Sequence, residues 1–218
     1  MLLVLATRNR KKREEIVAIL SDLGLLFGDL SDWPNLPEVE ETGTTFEENA
    51  RLKAIAVARG TGHWALGEDS GLVVPALGGA PGVYSARYAG RQGDDEANNA
   101  KLLAELAKRP DADRSAYYVC TAALADPTGH VHVVTEGRCH GRILDAPRGS
   151  GGFGYDPLFL IPEYHRTFAE LSPRVKHALS HRARALERLR PWLRRLVQSN
   201  SRMGVPSDSG VGRPSAET

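Results

Sequence analysis

The feature that most constrains this chain is a pair of long strand-like segments, Ala116 to Ala125 and Val131 to Ile143, joined by a short turn at Asp126 to Gly129. Such a pair reads as an antiparallel hairpin. Elsewhere strands alternate with helices. The apolar run Leu2 to Ala6 ends at polar Thr7, and Ile16, Val17, Leu20 and Leu23 then recur at helical spacing, predicting strand, tight loop and helix. Thr44 or Thr45 with Glu47 or Glu48 supplies a capping box for a second helix, Thr45 to Arg59, with Phe46, Leu52, Ile55 and Ala56 facing inward. The apolar runs Trp64 to Leu66 and Leu72 to Val74 predict two strands whose ends flank the polar stretch Gly67 to Gly71. A helix is predicted from Asp94 to Ala107, a strand over Leu158 to Ile161, and an amphipathic basic helix over Leu179 to Leu196. Alternating strands and helices with one internal hairpin imply an α/β fold, a mixed central sheet flanked by helices.

A chain of 218 residues allows one compact domain or two small lobes. With 41% hydrophobic and 25% charged residues, wholesale disorder is excluded. A net charge of +1 removes any argument for a bulk polyanion binder, yet the charge is uneven. Asp29 to Glu48 holds seven acidic residues and no basic one, whereas Arg174 to Arg195 holds eight Lys and Arg against the single acid Glu187. This asymmetry suits a metal together with a polyanionic small molecule; the plainer reading is two solvated faces. Cys120 and Cys139 cannot form a disulfide scaffold. The N-terminus places apolar residues before basic ones, the reverse of a signal peptide, and no apolar stretch reaches about 18 residues. These features point to a cytoplasmic protein without a membrane span. Ser199 to Thr218 is rich in Ser, Gly and Pro, so the expected division is a folded unit over 1–198 and a disordered tail over 199–218.

Four segments carry residues suited to chemistry. Thr7 to Lys12 lies between a strand and a helix start, where free N–H groups and the helix dipole attract phosphate, and Thr7, Asn9 and Lys12 add a hydroxyl, an amide and a charge. Its competing reading is a capped helix start. Glu38, Glu40 and Glu41 precede Thr42-Gly43, and Glu68-Asp69 stand between two strand candidates; Mg²⁺ takes one or two protein carboxylates, Glu41 and Asp69 could be that pair, and a carboxylate beside the metal can orient or deprotonate water. The competing reading is helix-start acids and a strand-end turn. Gly149 to Pro157 contains a formal GxGxxG, but it leads into a strand rather than a helix, which excludes the dinucleotide fingerprint. Glycines around Phe153 suit close approach to a flat ring. Lys176, His181 and Arg182 are donors for base carbonyls or phosphates. His130 and His132 alternate as possible metal ligands without a third partner, and Ser70 lacks the GxSxG of a serine nucleophile.

Taken in order, ATRNRKK (Ala6 to Lys12), ETGTTFEENARLKA (Glu41 to Ala54), GEDSGL (Gly67 to Leu72), GGAPGVYSARYAG (Gly78 to Gly90), GSGGFGYDPLF (Gly149 to Phe159), FAELS (Phe168 to Ser172) and SHRARAL (Ser180 to Leu186) resemble the inosine/xanthosine triphosphate pyrophosphatases, the Ham1-like family. The resemblance covers Leu2 to about Leu196. It implies an elongated two-lobed α/β fold with a cleft, forming one catalytic domain over 1–198, and Mg²⁺-dependent hydrolysis of ITP, dITP and XTP to monophosphate and pyrophosphate by a homodimer. By motif position, Thr7, Asn9 and Lys12 would hold the triphosphate. Glu41 and Asp69 would hold the metal, with Asp69 also the proton acceptor. Ser70, Phe153, Gly154, Tyr155, Asp156, Lys176, His181 and Arg182 would contact the nucleotide. Arg8, Pro75 and His177 depart from the family's usual glycine, aspartate and asparagine. A binding module without turnover would tolerate loss of Asp69, which is present. A single-strand nucleic-acid binder would interleave aromatics with the basic residues, yet Trp192 is the only aromatic from Arg174 to Arg195. No nucleic-acid or membrane partner is therefore expected.

Overall fold

A computed structural model describes residues 1–203, with side chains through Ser199. The elements are β1 (Leu2–Leu5), α1 (Arg10–Leu20), β2 (Leu26–Gly28), α2 (Phe46–Thr61), β3 (Trp64–Val73), α3 (Asp95–Ala107), β4 (Ser115–Ala125), β5 (Val131–Ile143), β6 (Phe159–Ile161), β7 (Arg166–Thr167), α4 (Pro173–Leu179) and α5 (His181–Met203). One seven-stranded sheet runs in the order β2-β1-β3-β4-β5-β6-β7. β1 is parallel to β2 and β3, and every later pairing is antiparallel, so the expected hairpin β4–β5 lies inside a mixed sheet. The tail expected over 199–218 lies outside the described residues from position 204 onward, and α5 continues through Met203.

The long strands β3, β4 and β5 join two packed regions. At one end, Leu3, Leu5, Ile16, Leu20, Leu66 and Leu124 pack with Leu186, Leu189 and Leu193 of α5. The opposite sheet face there carries Val4, Ala65, Ala123 and Ala125 against Ala50, Ala54, Val57 and Ala58 of α2. At the other end, Leu72, Val74, Tyr118 and Ile143 close with Leu102, Leu106, Phe159 and Phe168 into a separate core. Residues 68–70 of β3, paired with 120–122 of β4, fall between these regions. That placement sets polar side chains at the junction of two apolar cores.

Three local expectations are corrected. The polar stretch Gly67 to Gly71 does not separate two strands: it is the middle of continuous β3, paired throughout with β4. Its carboxylates tolerate burial because cations from neighbouring elements meet them, so polarity did not mark a break. α2 does not turn Leu52, Ile55 and Ala56 inward as its main face. Leu52 is 37% exposed, whereas Asn49, Ala50, Lys53, Ala54, Val57 and Ala58 are buried. The helix is capped by Thr45, whose side chain accepts the Glu48 N–H, and its phase is set by what β3 needs. A Cβ on Gly67 would strike the Ala50 carbonyl and the Ala54 amide, so glycine permits the close strand–helix contact. The last helix is likewise interrupted: Ser180 is extended (φ −65°, ψ 153°), and α5 begins at His181 rather than Leu179.

Candidate active site

Because side chains alternate across a strand, β3 presents Glu68 and Ser70 to the α1/α5 side and Asp69 to the α2 side. On the first side, Asn9 caps α1 by accepting the Lys12 amide at 3.1 Å, and Thr7 Oγ1 accepts the Asn9 amide at 3.1 Å. This cap aims Lys12 at β3, where its Nζ lies 2.8 Å from Glu68 Oε1. Glu68 Oε2 accepts from Arg182 Nε at 3.3 Å and from the Cys120 thiol at 3.2 Å. Burial alone would raise the Glu68 pKa, but Arg182, Lys12 and Lys53 overcome it and hold the carboxyl well below its usual range.

On the second side, Asp69 accepts from Lys53 Nζ at 3.0 Å and from Asn49 Nδ2 at 3.2 Å. Here burial prevails over the charges of Lys53 and Lys12, and the Asp69 pKa is raised. The same Lys53 Nζ lies 2.9 Å from Glu41 Oε1. Burial would raise Glu41 too, but Lys53, with Lys12 and Arg87, outweighs it, and the pKa falls. Asn49 also accepts the Gly43 amide at 2.8 Å, tying the Glu41 loop to α2. One ammonium therefore spans both carboxylates, which shows that they converge on a common positive centre. Two hard oxygen donors open to a cleft fit Mg²⁺, whose remaining ligands are commonly water and phosphate oxygens.

Beyond Ser70 the cleft becomes aromatic. Lys176 Nζ sits 4.6 Å from the Phe153 ring centroid and donates to Glu15 at 2.8 Å and Asp156 at 2.7 Å. Asp156 accepts the Phe153 amide at 2.9 Å, Asp95 accepts the Gly154 amide at 2.7 Å, and Tyr155 Oη donates to the Ser85 carbonyl at 2.8 Å. These bonds fix the glycine-rich turn. Arg182, 1% exposed, donates to Glu15, Glu68 and, at 3.0 Å, Ser70 Oγ. His181 stacks on Tyr118 with centroids 4.7 Å apart. Burial and neighbouring Arg182 push its pKa well below the usual value, so the imidazole is neutral, and its Nδ1 is buried without a hydrogen-bond partner among the described residues.

The structure brings every sequence-predicted site residue to one cleft. Thr7, Asn9, Lys12, Glu41, Asp69 and Ser70 line its carboxylate end. Phe153, Gly154, Tyr155, Asp156, Lys176, His181 and Arg182 line its aromatic end, and Asn9, Lys12 and Ser70 belong to both. Pro75 and His177 line neither end. Sequence reasoning did not assign Glu15, Asn49, Lys53 and Glu68. The signals were nonetheless present: Asn49 and Lys53 follow the Thr45 cap at steps of four, and Glu15 follows Lys12 by three, each on one helix face.

Residues 3–192 match the Ham1 family. The dITP/XTP pyrophosphatase of Rhodopirellula baltica is 54% identical over 199 residues, covering 91% of this chain and 96% of its own. That of Geobacter sulfurreducens is 56% identical over 191 residues, covering 88% and 96%. The structure of a HAM1 protein from Coxiella burnetii superposes with a TM-score of 0.81 at 42% identity, covering 91% of this chain and 99% of that one. A cleft built on one central strand, a match across nearly all the folded chain and relatives of more than half identity agree: this chain belongs to the Ham1 family.

Proposed function

We propose that the protein is a Mg²⁺-dependent pyrophosphatase that hydrolyses noncanonical purine nucleoside triphosphates, XTP, ITP and dITP, to the monophosphate and pyrophosphate, cleansing the nucleotide pool. The observation that carries this reading is the continuity of the cleft: a cationic and carboxylate end joins an aromatic end through Asn9, Lys12 and Ser70. A purine against Phe153 places its phosphates toward the α1 N-terminus and Asp69. Its relatives' names, dITP/XTP pyrophosphatase, point to the same substrates.

Asp69, buried and raised in pKa, is the proton acceptor for the attacking water. Glu41 and Asp69 would hold Mg²⁺, which supplies charge neutralisation on the phosphate oxygens. Lys53 keeps the two carboxylates together, and Lys12 with the α1 N-terminus offsets charge on the leaving pyrophosphate. At the aromatic end Lys176 and Arg182 are held by carboxylates, while His181 Nδ1 is buried with no hydrogen-bond partner among the described residues and is the group we assign to the base. A donor there favours a 6-oxo purine over adenine by roughly 10⁴-fold. Exclusion of the 2-amino group of GTP is part of the same reading. The homodimer and the cytoplasmic setting rest on the family and on two free cysteines; no helix among the described residues is long and apolar enough to cross a membrane.

Incubating the protein with Mg²⁺ and ITP, XTP, GTP or ATP, and measuring pyrophosphate separately from orthophosphate, tests this reading. ITP and XTP should release pyrophosphate efficiently and ATP poorly. Equal kcat/KM for ATP and ITP contradicts the 6-oxo argument, equal values for GTP and ITP contradict the 2-amino exclusion, and orthophosphate as first product contradicts the reaction.

A further inference from the structure

Three basic residues line the carboxylate end of the cleft: Arg8, Lys12 and Lys53. Two of them already face carboxylates. Lys12 pairs with Glu68 at 2.8 Å, and Lys53 spans Glu41 and Asp69. Arg8 donates through one Nη to a neutral acceptor, the Leu36 carbonyl, at 3.1 Å, and has no carboxylate partner among the described residues. A guanidinium carries five N–H donors, so this bond leaves most of them available. Leu36 is itself anchored, because its side chain fills the space above Gly60 of α2. The tether therefore holds the Arg8 head at the cleft mouth rather than letting it sweep through solvent.

Position along the cleft decides which phosphate Arg8 would meet. Asn9, Lys12 and Ser70 line both ends, whereas Arg8, Leu36 and Glu38 line only the carboxylate end. A nucleotide whose base lies against Phe153 crosses the shared residues first and reaches Arg8 last. We propose that Arg8 is a ligand of the terminal phosphate of the substrate and sets a preference for triphosphates over diphosphates. Planar guanidinium groups bind phosphate through paired, charge-assisted hydrogen bonds, which a neutral carbonyl does not match. Without Arg8, a terminal phosphate beside Glu38 meets only cations that already face carboxylates, Lys12 with Glu68 and Lys53 with Glu41 and Asp69.

This inference deepens the proposed function and rests on it, so its test separates the two. Binding of inorganic tripolyphosphate and of pyrophosphate is measured by calorimetry, with Mg²⁺, for the wild type, Arg8→Gln and Arg8→Lys. Gln keeps a donor for the Leu36 carbonyl while removing charge; Lys keeps charge while losing the fork. In Arg8→Gln tripolyphosphate affinity should fall roughly five- to tenfold and pyrophosphate affinity less, with Arg8→Lys between. Where wild type hydrolyses ITP, the same variant should raise KM for ITP more than for IDP and leave the loss out of kcat. Equal loss for the two inorganic ligands, no loss, or a fall confined to kcat would overturn the assignment. Absence of wild-type hydrolysis counts against the proposed function alone, because the inorganic ligands still report on Arg8.

Discussion

Glu68 and Asp69 are consecutive residues of one strand, both buried, yet their surroundings drive them in opposite directions. Glu68 faces Arg182 and Lys12 and belongs to a chain of buried charges that runs through Glu15 to Lys176 and Asp156. Asp69 faces the cleft with Lys53 and Asn49. The first carboxylate is saturated with positive charge and ionises easily; the second is held mainly by burial and keeps a raised pKa. Alternation along a strand thus separates a frame from the proposed base within one residue step. A base for water needs proton affinity, and a brace for Arg182 needs permanent charge.

The largest expected effect falls on the frame. Glu68→Gln leaves Lys12 facing a neutral amide and Arg182 with Glu15 as its remaining carboxylate, and breaking a buried ion pair typically costs about 3 kcal/mol or more. Urea unfolding at neutral pH should show this loss; a variant as stable as wild type would dissolve the distinction between the two faces.

Asp69→Asn should do the reverse, lowering turnover at least about a hundredfold while changing stability by less than about 1 kcal/mol, because Lys53 keeps Glu41 and the substituted amide retains an acceptor oxygen. Kinetics and unfolding on the same preparation check both halves. Near-wild-type turnover would remove Asp69 from the reaction.

Acidity gives a smaller but signed effect. The lowered pKa values of Glu68 and Glu15 contribute stability that is complete above their unfolded value, 4.5, and is lost as pH falls through the folded values. Asp69 has the opposite sign: its raised pKa makes ionisation unfavourable in the fold, so protonation costs activity rather than stability. The acid limb of kcat/KM should therefore lie above 3.8, the ordinary aspartate value. In Lys53→Gln that limb should move higher still, since Lys53 lowers the Asp69 pKa. An unmoved limb would show that another group controls it.

The same contrast explains what the sequence made legible. The α/β class, the β4–β5 hairpin and α3 were readable because their apolar residues face uniform cores. β3 read as two strands and α2 read with the wrong inward face because buried Glu68 and Asp69, and buried Asn49 and Lys53, interrupt the apolar residues, and a hydrophobic pattern counts such residues as solvent-facing. The site residues with a role implied by a motif were readable, whereas Glu15, and Asn49 and Lys53 inside the motif Glu41 to Ala54, acquire meaning only once α1, α2, α4 and α5 converge on β3. Their partners lie up to 167 residues away, a distance that no local spacing encodes.

In the proposed reaction water, activated by Asp69, attacks the phosphorus nearest the nucleoside. Turnover of ITP with Mg²⁺ in ¹⁸O-labelled water, followed by mass analysis of both products, distinguishes this attack from attack farther along the chain. Label should enter the monophosphate and not the pyrophosphate; label in the pyrophosphate with an unlabelled monophosphate would place the attack elsewhere and rule this reaction out.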